Sequence, residues 1–186
     1  GVPTLFAMLL ADKLPEQNKH SIRLSVSAGE PLPADLLHRW KAQVGTEILD
    51  GIGTTEMLHI FVSNQINDIQ PGTTGRAVPG YKVRLINEIG ELCSTGEIGI
   101  LEVSGPTSAI MYWGQREKTK ATFLGEWTRT GDNYTMGDDG VMTYSGRNDD
   151  MLKVGGIYVS PFEVEGALIA RMALVKGKTG QRVCEL

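Results

Sequence analysis

SIRLSVSAGEPLPADLLHRWKAQVGTEILDGIGTTEM, from Ser21 to Met57, decides the fold class of this chain. Ser21 to Ser27 alternates, with Ile22, Leu24 and Val26 on one side and Arg23 and Ser25 on the other, the two-residue period of a strand. The Gly-Pro stretch AGEPLP ends it. Pro33 opens a helix in which Leu36, Leu37, Trp40 and Val44 form an apolar stripe, and Gly45 stops it. Glu47 to Asp50 reads as a short second strand. Strand, helix and strand in this order predict a right-handed βαβ unit with parallel strands. Ligands of such sheets gather at the carboxyl ends of the strands, where AGEP and DGIGTTE fall.

Upstream, GVPTLFAMLL has Pro3 in the first turn of an expected helix. It carries no initiator Met and no signal-peptide pattern, so the expectation is a piece of a longer protein. Downstream of Pro71 the texture changes. Tyr81 to Ile86 sets Val83 and Leu85 against Lys82 and Arg84, and Glu88 to Gly90 reads as a turn. Ile98 to Ser104, Trp127 to Arg129 and Val141 to Tyr144 are further strands among Gly-rich turns, with Gly137 to Gly140 as a hairpin tip. Short strands with frequent turns predict a small antiparallel, barrel-like sheet. Ser160-Pro161-Phe162-Glu163 then starts a new helix with a capping box and an apolar side of Val164, Leu168 and Ile169.

The 186 residues, 41% hydrophobic, are enough for one or two globular domains. A net charge of −4 gives no electrostatic footprint for nucleic acid. No apolar run approaches the roughly 20 residues of a membrane span. Cys93 and Cys184 are far apart, without metal-like spacing, and read as bystanders in a reduced, cytoplasmic protein.

Three segments carry candidate chemistry. In Asp50 to Met57, DGIGTTEM, Gly51 and Gly53 allow backbone to approach a ligand. Thr55 offers a hydroxyl to a phosphate oxygen and Glu56 a hard carboxylate to Mg²⁺. The same residues equally suit a turn in which Thr caps and Glu favours a helix start. In Gly125 to Asp132, GEWTRTGD, the Asp132 carboxylate suits the two hydroxyls of a ribose, against the plainer reading of a turn-forming Asp. In Gly146 to Glu165, GRNDDMLKVGGIYVSPFEVE, Arg147 brings a permanent charge for a ribose or phosphate, against an exposed charged loop.

Together and in this order, the three segments closely resemble the adenylate-forming acyl-activating enzymes, over roughly residues 1 to 170. SAGEPLP, DGIGTTEMLHIF and MYWGQREKTKATFLGEW are most similar to the benzoate-CoA ligase and aryl-CoA ligase branch. The resemblance implies the following. Thr55 contacts the α-phosphate and Glu56 the metal, with Gly53 in the same motif and Asp50 and Gly51 beside it. Ala28, Gly29, Glu30 and Pro31 lie along the adenine and the acyl carboxylate. Asp132 holds the ribose, with Arg147 beside it, and His59 lines the acyl pocket. Asp149 is the hinge of a small C-terminal domain, and Lys153, Gly155 and Gly156 move to meet the pantetheine arm of CoA. The implied organisation is residues 1–75 in the α/β sheet subdomain, 76–145 in the β-rich subdomain, and 146–186 as the hinge and beginning of an α+β lid domain. The implied substrates are ATP, an aromatic acid and CoA, with Mg²⁺, and a homo-oligomer is among the assemblies the resemblance allows.

Pro71 to Arg76, PGTTGR, looks like part of a phosphate loop but lacks its Lys and follows the metal segment, so it reads as a linker. The resemblance puts the true phosphate loop upstream of Gly1 and the adenylation Lys beyond Leu186. Arg171 to Leu186 departs from the family pattern. Two other readings stay open: a fragment that folds and at most binds nucleotide, and an adenylation domain serving a carrier protein.

Overall fold

The computed structural model describes residues 1–12, 19–148, 152–154, 157–159, 164, 167–168 and 171. Helix α1 (Pro3–Ala11) begins at its proline, whose missing N–H costs nothing in a first turn. Strand β1 (Ser25–Ser27), helix α2 (Ala34–Val44) and strand β2 (Ile48–Gly53) form the βαβ unit, with Ser27 opposite Asp50 in a parallel pair. Gly45 ends α2 in the left-handed region at φ 79°. Leu36, Leu37, Trp40 and Val44 are all buried and share a core with Phe6, Leu10 and Ile48. The Phe6 ring meets Trp40 edge-on, centroids 4.9 Å apart.

The strand expected at Trp127 to Arg129 runs on to Met136, and the one expected at Val141 to Tyr144 runs from Met142 to Arg147. In the βαβ unit two boundaries differ by more than one residue. β1 starts at Ser25 rather than Ser21, because its hydrogen-bonding partner β2 begins only at Ile48. Ile22, outside the strand, is exposed, and so is Val26 within it. β2 runs past Asp50 to Gly53, because the chain turns back through a 3₁₀ turn (Thr55–Met57) and β3 (Ile60–Ser63) pairs antiparallel with it. That hairpin sets the glycine requirement: a Cβ on Gly53 would lie 2.4 Å from the His59 carbonyl oxygen, and one on Gly51 2.9 Å from Ile60. β4 (Arg76–Ala77) completes a mixed sheet in the order β1-β2-β3-β4.

The second sheet is antiparallel and curled. It contains β5 (Lys82–Ile86), β6 (Gly99–Ser104), β7 (Phe123–Leu124), β8 (Trp127–Met136) and β9 (Met142–Arg147), in the order β5-β6-β8-β7 with β9 also on β8. Helix α3 (Arg116–Thr122), absent from the sequence reading, precedes β7. Gly137–Gly140 turns between β8 and β9, with the Gly137 N–H donating to Val141 O at 2.9 Å. Further on, β10 (Leu152–Val154) and β11 (Ile157–Val159) form a hairpin. The helix start expected at Ser160 to Glu163 lies outside the described residues.

The segment expected as a linker joins the sheets. The Thr74 N–H donates to Met142 O at 2.9 Å, and the Met142 N–H donates to Gly75 O at 2.7 Å. Met57 of the 3₁₀ turn and Phe61 and Val62 of the first sheet share a core with Leu85, Leu101, Val103, Tyr134 and Met142 from the second. Gly75 has φ +88° and its Cβ would fall 2.3 Å from the backbone of Ser63 and Asn64, whereas Gly72, at φ +81°, faces open space. Gly75→Ala combines left-handed strain with a backbone collision and is expected to cost roughly 2–5 kcal/mol, against about 1 kcal/mol for Gly72→Ala. Urea denaturation of the two variants checks this; equal midpoints would refute it.

Candidate functional site

Between the sheets lies a cleft of about 850 Å³. The turn after β1 supplies Gly29, Glu30 and Pro31, and β2 with its following turn supplies Asp50 to Glu56. Across from the βαβ unit in sequence, β8 brings Arg129 to Asp132 and Tyr134, and β9 brings Tyr144 and Arg147. Tyr112 and α3 residues Lys118, Ala121 and Thr122 close the remaining side. The cleft therefore gathers Gly29, Glu30, Pro31, Asp50, Gly51, Gly53, Thr55, Glu56, Asp132 and Arg147 from the residues singled out in the sequence. Ala28 is not on its lining; its N–H donates to Gly1 O at 3.1 Å. His59 is exposed and also off the lining. Asp149, Gly155, Gly156 and the side chain of Lys153 lie outside the described residues.

A β-bulge aims Asp132. Ile100 pairs with Asn133 and Glu102 with Arg129, so one intervening residue on β6 faces three on β8, Thr130 to Asp132. Gly131 takes φ +80°, the left-handed conformation that glycine adopts without strain. The Thr130 hydroxyl donates to Leu101 O at 3.0 Å and accepts the Asp132 N–H at 3.1 Å. Asp132, only 6% exposed, accepts Arg147 Nη1 at 3.0 Å. Burial pushes its carboxyl above the ordinary range, and the Arg147 charge opposes that push without cancelling it.

Asp50 is buried between β1 and β3, and its Oδ1 has no hydrogen-bond partner. Ser27 Oγ, on the residue opposite it in β1, is likewise buried and unpartnered. Such atoms are costly unless something satisfies them, and Asp50 lines the cleft. Burial pushes the Asp50 carboxyl up to about 7, with the Gly51 N–H pulling the other way.

Glu56 is handled differently. Burial pushes its carboxyl up, but the Tyr112 hydroxyl donating to Oε1 and the nearby Lys118 charge help bring it below its ordinary value. Thr119 fixes Tyr112 by accepting its N–H at 3.0 Å, and the Ala109 N–H donates to Glu56 O at 2.7 Å. Beneath Arg129, the fully buried Glu102 accepts Arg129 Nε and Nη2 on Oε1, at 3.0 and 2.8 Å. Arg84 Nε donates to the other oxygen at 2.9 Å. Tyr112, Lys118, Arg129 and Thr74 were missed as cleft residues; Tyr112 and Lys118 fall inside the family-like stretch Met111 to Trp127, and Arg129 inside GEWTRTGD, and these were the signals that could have found them.

The sequence profile of the AMP-binding enzyme family matches residues 1–113. The chain belongs to the AMP-binding enzyme family. It is 56% identical over 178 residues to the benzoate–CoA ligase of Thauera aromatica, covering 95% of this chain and 34% of that protein. The crystal structure of a benzoate CoA ligase from Burkholderia xenovorans LB400 superposes with TM-score 0.86 at 52% identity, over 91% of this chain and 34% of that one. An anthranilate CoA ligase in complex with anthranoyl-AMP follows at TM-score 0.82 and 48% identity, over 91% and 33%. The chain thus spans about a third of the length of these relatives. Membership of this family supports nucleotide binding by the chain. No helix among the described residues is long and apolar enough to cross a membrane.

The folded chain protonates Asp50 near pH 7, whereas the unfolded chain does so near the ordinary value of 3.8. Between these values the folded state holds more protons, so this carboxyl lowers stability progressively as pH rises from about 4 to about 7. Asp50→Asn removes that penalty. The variant is expected to be more stable than the parent at pH 8, by on the order of 4 kcal/mol, with the gap closing towards pH 4. Thermal or urea unfolding across pH measures it; a pH-independent gap would contradict the assignment.

Proposed function

We propose that this chain is the nucleotide-binding middle of an AMP-forming aryl-CoA ligase. The whole enzyme joins ATP and a benzoate-like acid into an acyl-adenylate with release of pyrophosphate, then lets the CoA thiol displace AMP. The observation that carries this reading is the convergence in one cleft of the bulge-mounted Asp132–Arg147 pair and the Thr55-Glu56 turn. The high identity to benzoate–CoA ligase supports the aromatic acid.

In this reading Asp132 accepts the ribose hydroxyls, and Arg147 both orients that carboxylate and adds positive charge beside the sugar. Thr55 donates its hydroxyl to an α-phosphate oxygen as the acyl carboxylate attacks phosphorus and pyrophosphate departs. Asp50, with its unpartnered oxygen, accepts from the purine's exocyclic amine. Among the described residues no group of three His, Cys, Asp or Glu gathers into a metal cage. That fits Mg²⁺, which takes one or two carboxylates and completes its shell with water and phosphate oxygens. Glu56 is the carboxylate that would hold it, and the ion would neutralise phosphate charge. Asp149 is the proposed hinge, with Lys153, Gly155 and Gly156 on the CoA side. Boundaries near residues 75 and 145, and a cytoplasmic, homo-oligomeric enzyme, belong to the same proposal.

The test is a chimera in which residues 1–186 replace the matching third of the Thauera aromatica enzyme. Benzoate-dependent AMP and benzoyl-CoA formation is expected; a folded chimera that binds AMP yet forms no benzoyl-adenylate would overturn the reading. In that chimera Asp132→Ala should weaken AMP binding by roughly 1.5–3 kcal/mol, the worth of a charged hydrogen bond, as calorimetry would show. Glu56→Gln keeps the shape and removes the charge. It should depress pyrophosphate exchange more than thioester formation from supplied benzoyl-adenylate; an equal loss of both would make Glu56 structural.

A further inference from the structure

Helix α3 has no buried residue, yet it delivers a cation to the cleft. The Lys118 ammonium lies 4.2 Å from the centroid of the Tyr112 ring, and the hydroxyl of that ring donates to Glu56. Thr119, the next residue of the helix, holds the Tyr112 backbone. Helix, ring and ammonium are therefore tied to the Thr55-Glu56 turn. The neighbouring Lys120 shows what an ordinary lysine of this helix does: it pairs with Glu117 on the solvent side, both side chains being well exposed. Lys118 turns instead onto an aromatic face and lines the cleft.

The cleft is also polar along its length. Asp50 stands on β2 three residues before Gly53, about 10 Å at the usual strand rise, and the Glu56 turn lies beyond. The Asp50 end is acidic and asks for a donor. Lys118 stands at the Glu56 end; Arg129, also on the lining, has Nε and Nη2 committed to Glu102. A compact ammonium beside a hard carboxylate is the pairing a polyphosphate and its counter-cation require.

We propose that Lys118 is a phosphate-binding residue, carried over the Tyr112 ring to meet the β- and γ-phosphates of ATP, and the pyrophosphate they become, at the Glu56 end of the cleft. This rests on the adenylation reading of the same cleft, in which the α-phosphate belongs to Thr55. The Tyr112 ring keeps the ammonium near Glu56 before nucleotide arrives, so little has to be reorganised when the phosphates enter.

The experiment titrates AMP, ATP and inorganic pyrophosphate separately into ¹⁵N-labelled 1–186, following amide shifts in the parent, Lys118→Met and Lys118→Arg. Lys118→Met is expected to weaken ATP and pyrophosphate about fivefold, the scale of one partly exposed charge pair, while AMP binding stays unchanged. Lys118→Arg, which retains the charge, should recover most of the loss. AMP and ATP weakened equally, or neither weakened, in a Lys118→Met protein whose spectrum is otherwise that of the parent would overturn the role of Lys118 and leave the nucleotide reading standing. A parent chain that binds neither AMP nor ATP would overturn the reading of the cleft, and the lysine's role with it.

Discussion

The bulge at Thr130 to Asp132 is the constraint on which the site depends. β8 is ten residues long and pairs with β6, β7 and β9. An uninterrupted strand of that length would fix every side chain to one face or the other by simple alternation. The extra residues break that alternation where the cleft needs a carboxylate. Thr130 repairs the ladder by bonding to Leu101 O and to the Asp132 N–H, and Gly131 supplies the backbone conformation. Asp132 then meets Arg147 directly across the β8–β9 pair. The triplet Thr-Gly-Asp is thus one mechanical unit.

Four carboxylates line the cleft, and the fold holds three of them, Asp50, Asp132 and Glu56, in different conditions. Asp50 is buried without a cation and is pushed up to about 7. Asp132 is buried against an arginine and is raised less freely. Glu56 is partly open, accepts a phenol and feels a lysine, and sits below its ordinary value. Separating the protonation behaviour of neighbouring acids by environment is how one cleft offers several chemistries at one pH. Here the most strongly raised acid stands on β2, and the one held below its ordinary value stands on the turn that follows it.

The sequence disclosed local features and missed those that depend on distant partners. The βαβ order was legible because Leu36, Leu37, Trp40 and Val44 keep helical period and Gly45 provides a stop. The continuation of β2 through Gly53 was not, since two glycines among threonines look like a loop until β3 is known to pack against them. REKTKAT carries no apolar stripe, so α3 gave no periodic signal; it is held by Thr119 and by the ring contact between Tyr112 and Phe123. The bond from Tyr112 to Glu56 spans 56 residues and no spacing rule reaches that far. Arg147 and Asp132 were legible as motifs, but their partnership required the register of β8 against β9.

The Thr74–Gly75 junction has a further consequence for how material enters and leaves. Its paired amide bonds to Met142, with the shared core behind them, weld the two sheets along one line, and Thr74 also touches Tyr134 within the cleft. Spreading the cleft walls would break that weld before it widened the gap. These walls therefore work as a fixed die rather than a jaw. Traffic of ligands has to be governed by whatever covers the mouth, while the shape of the walls themselves stays constant.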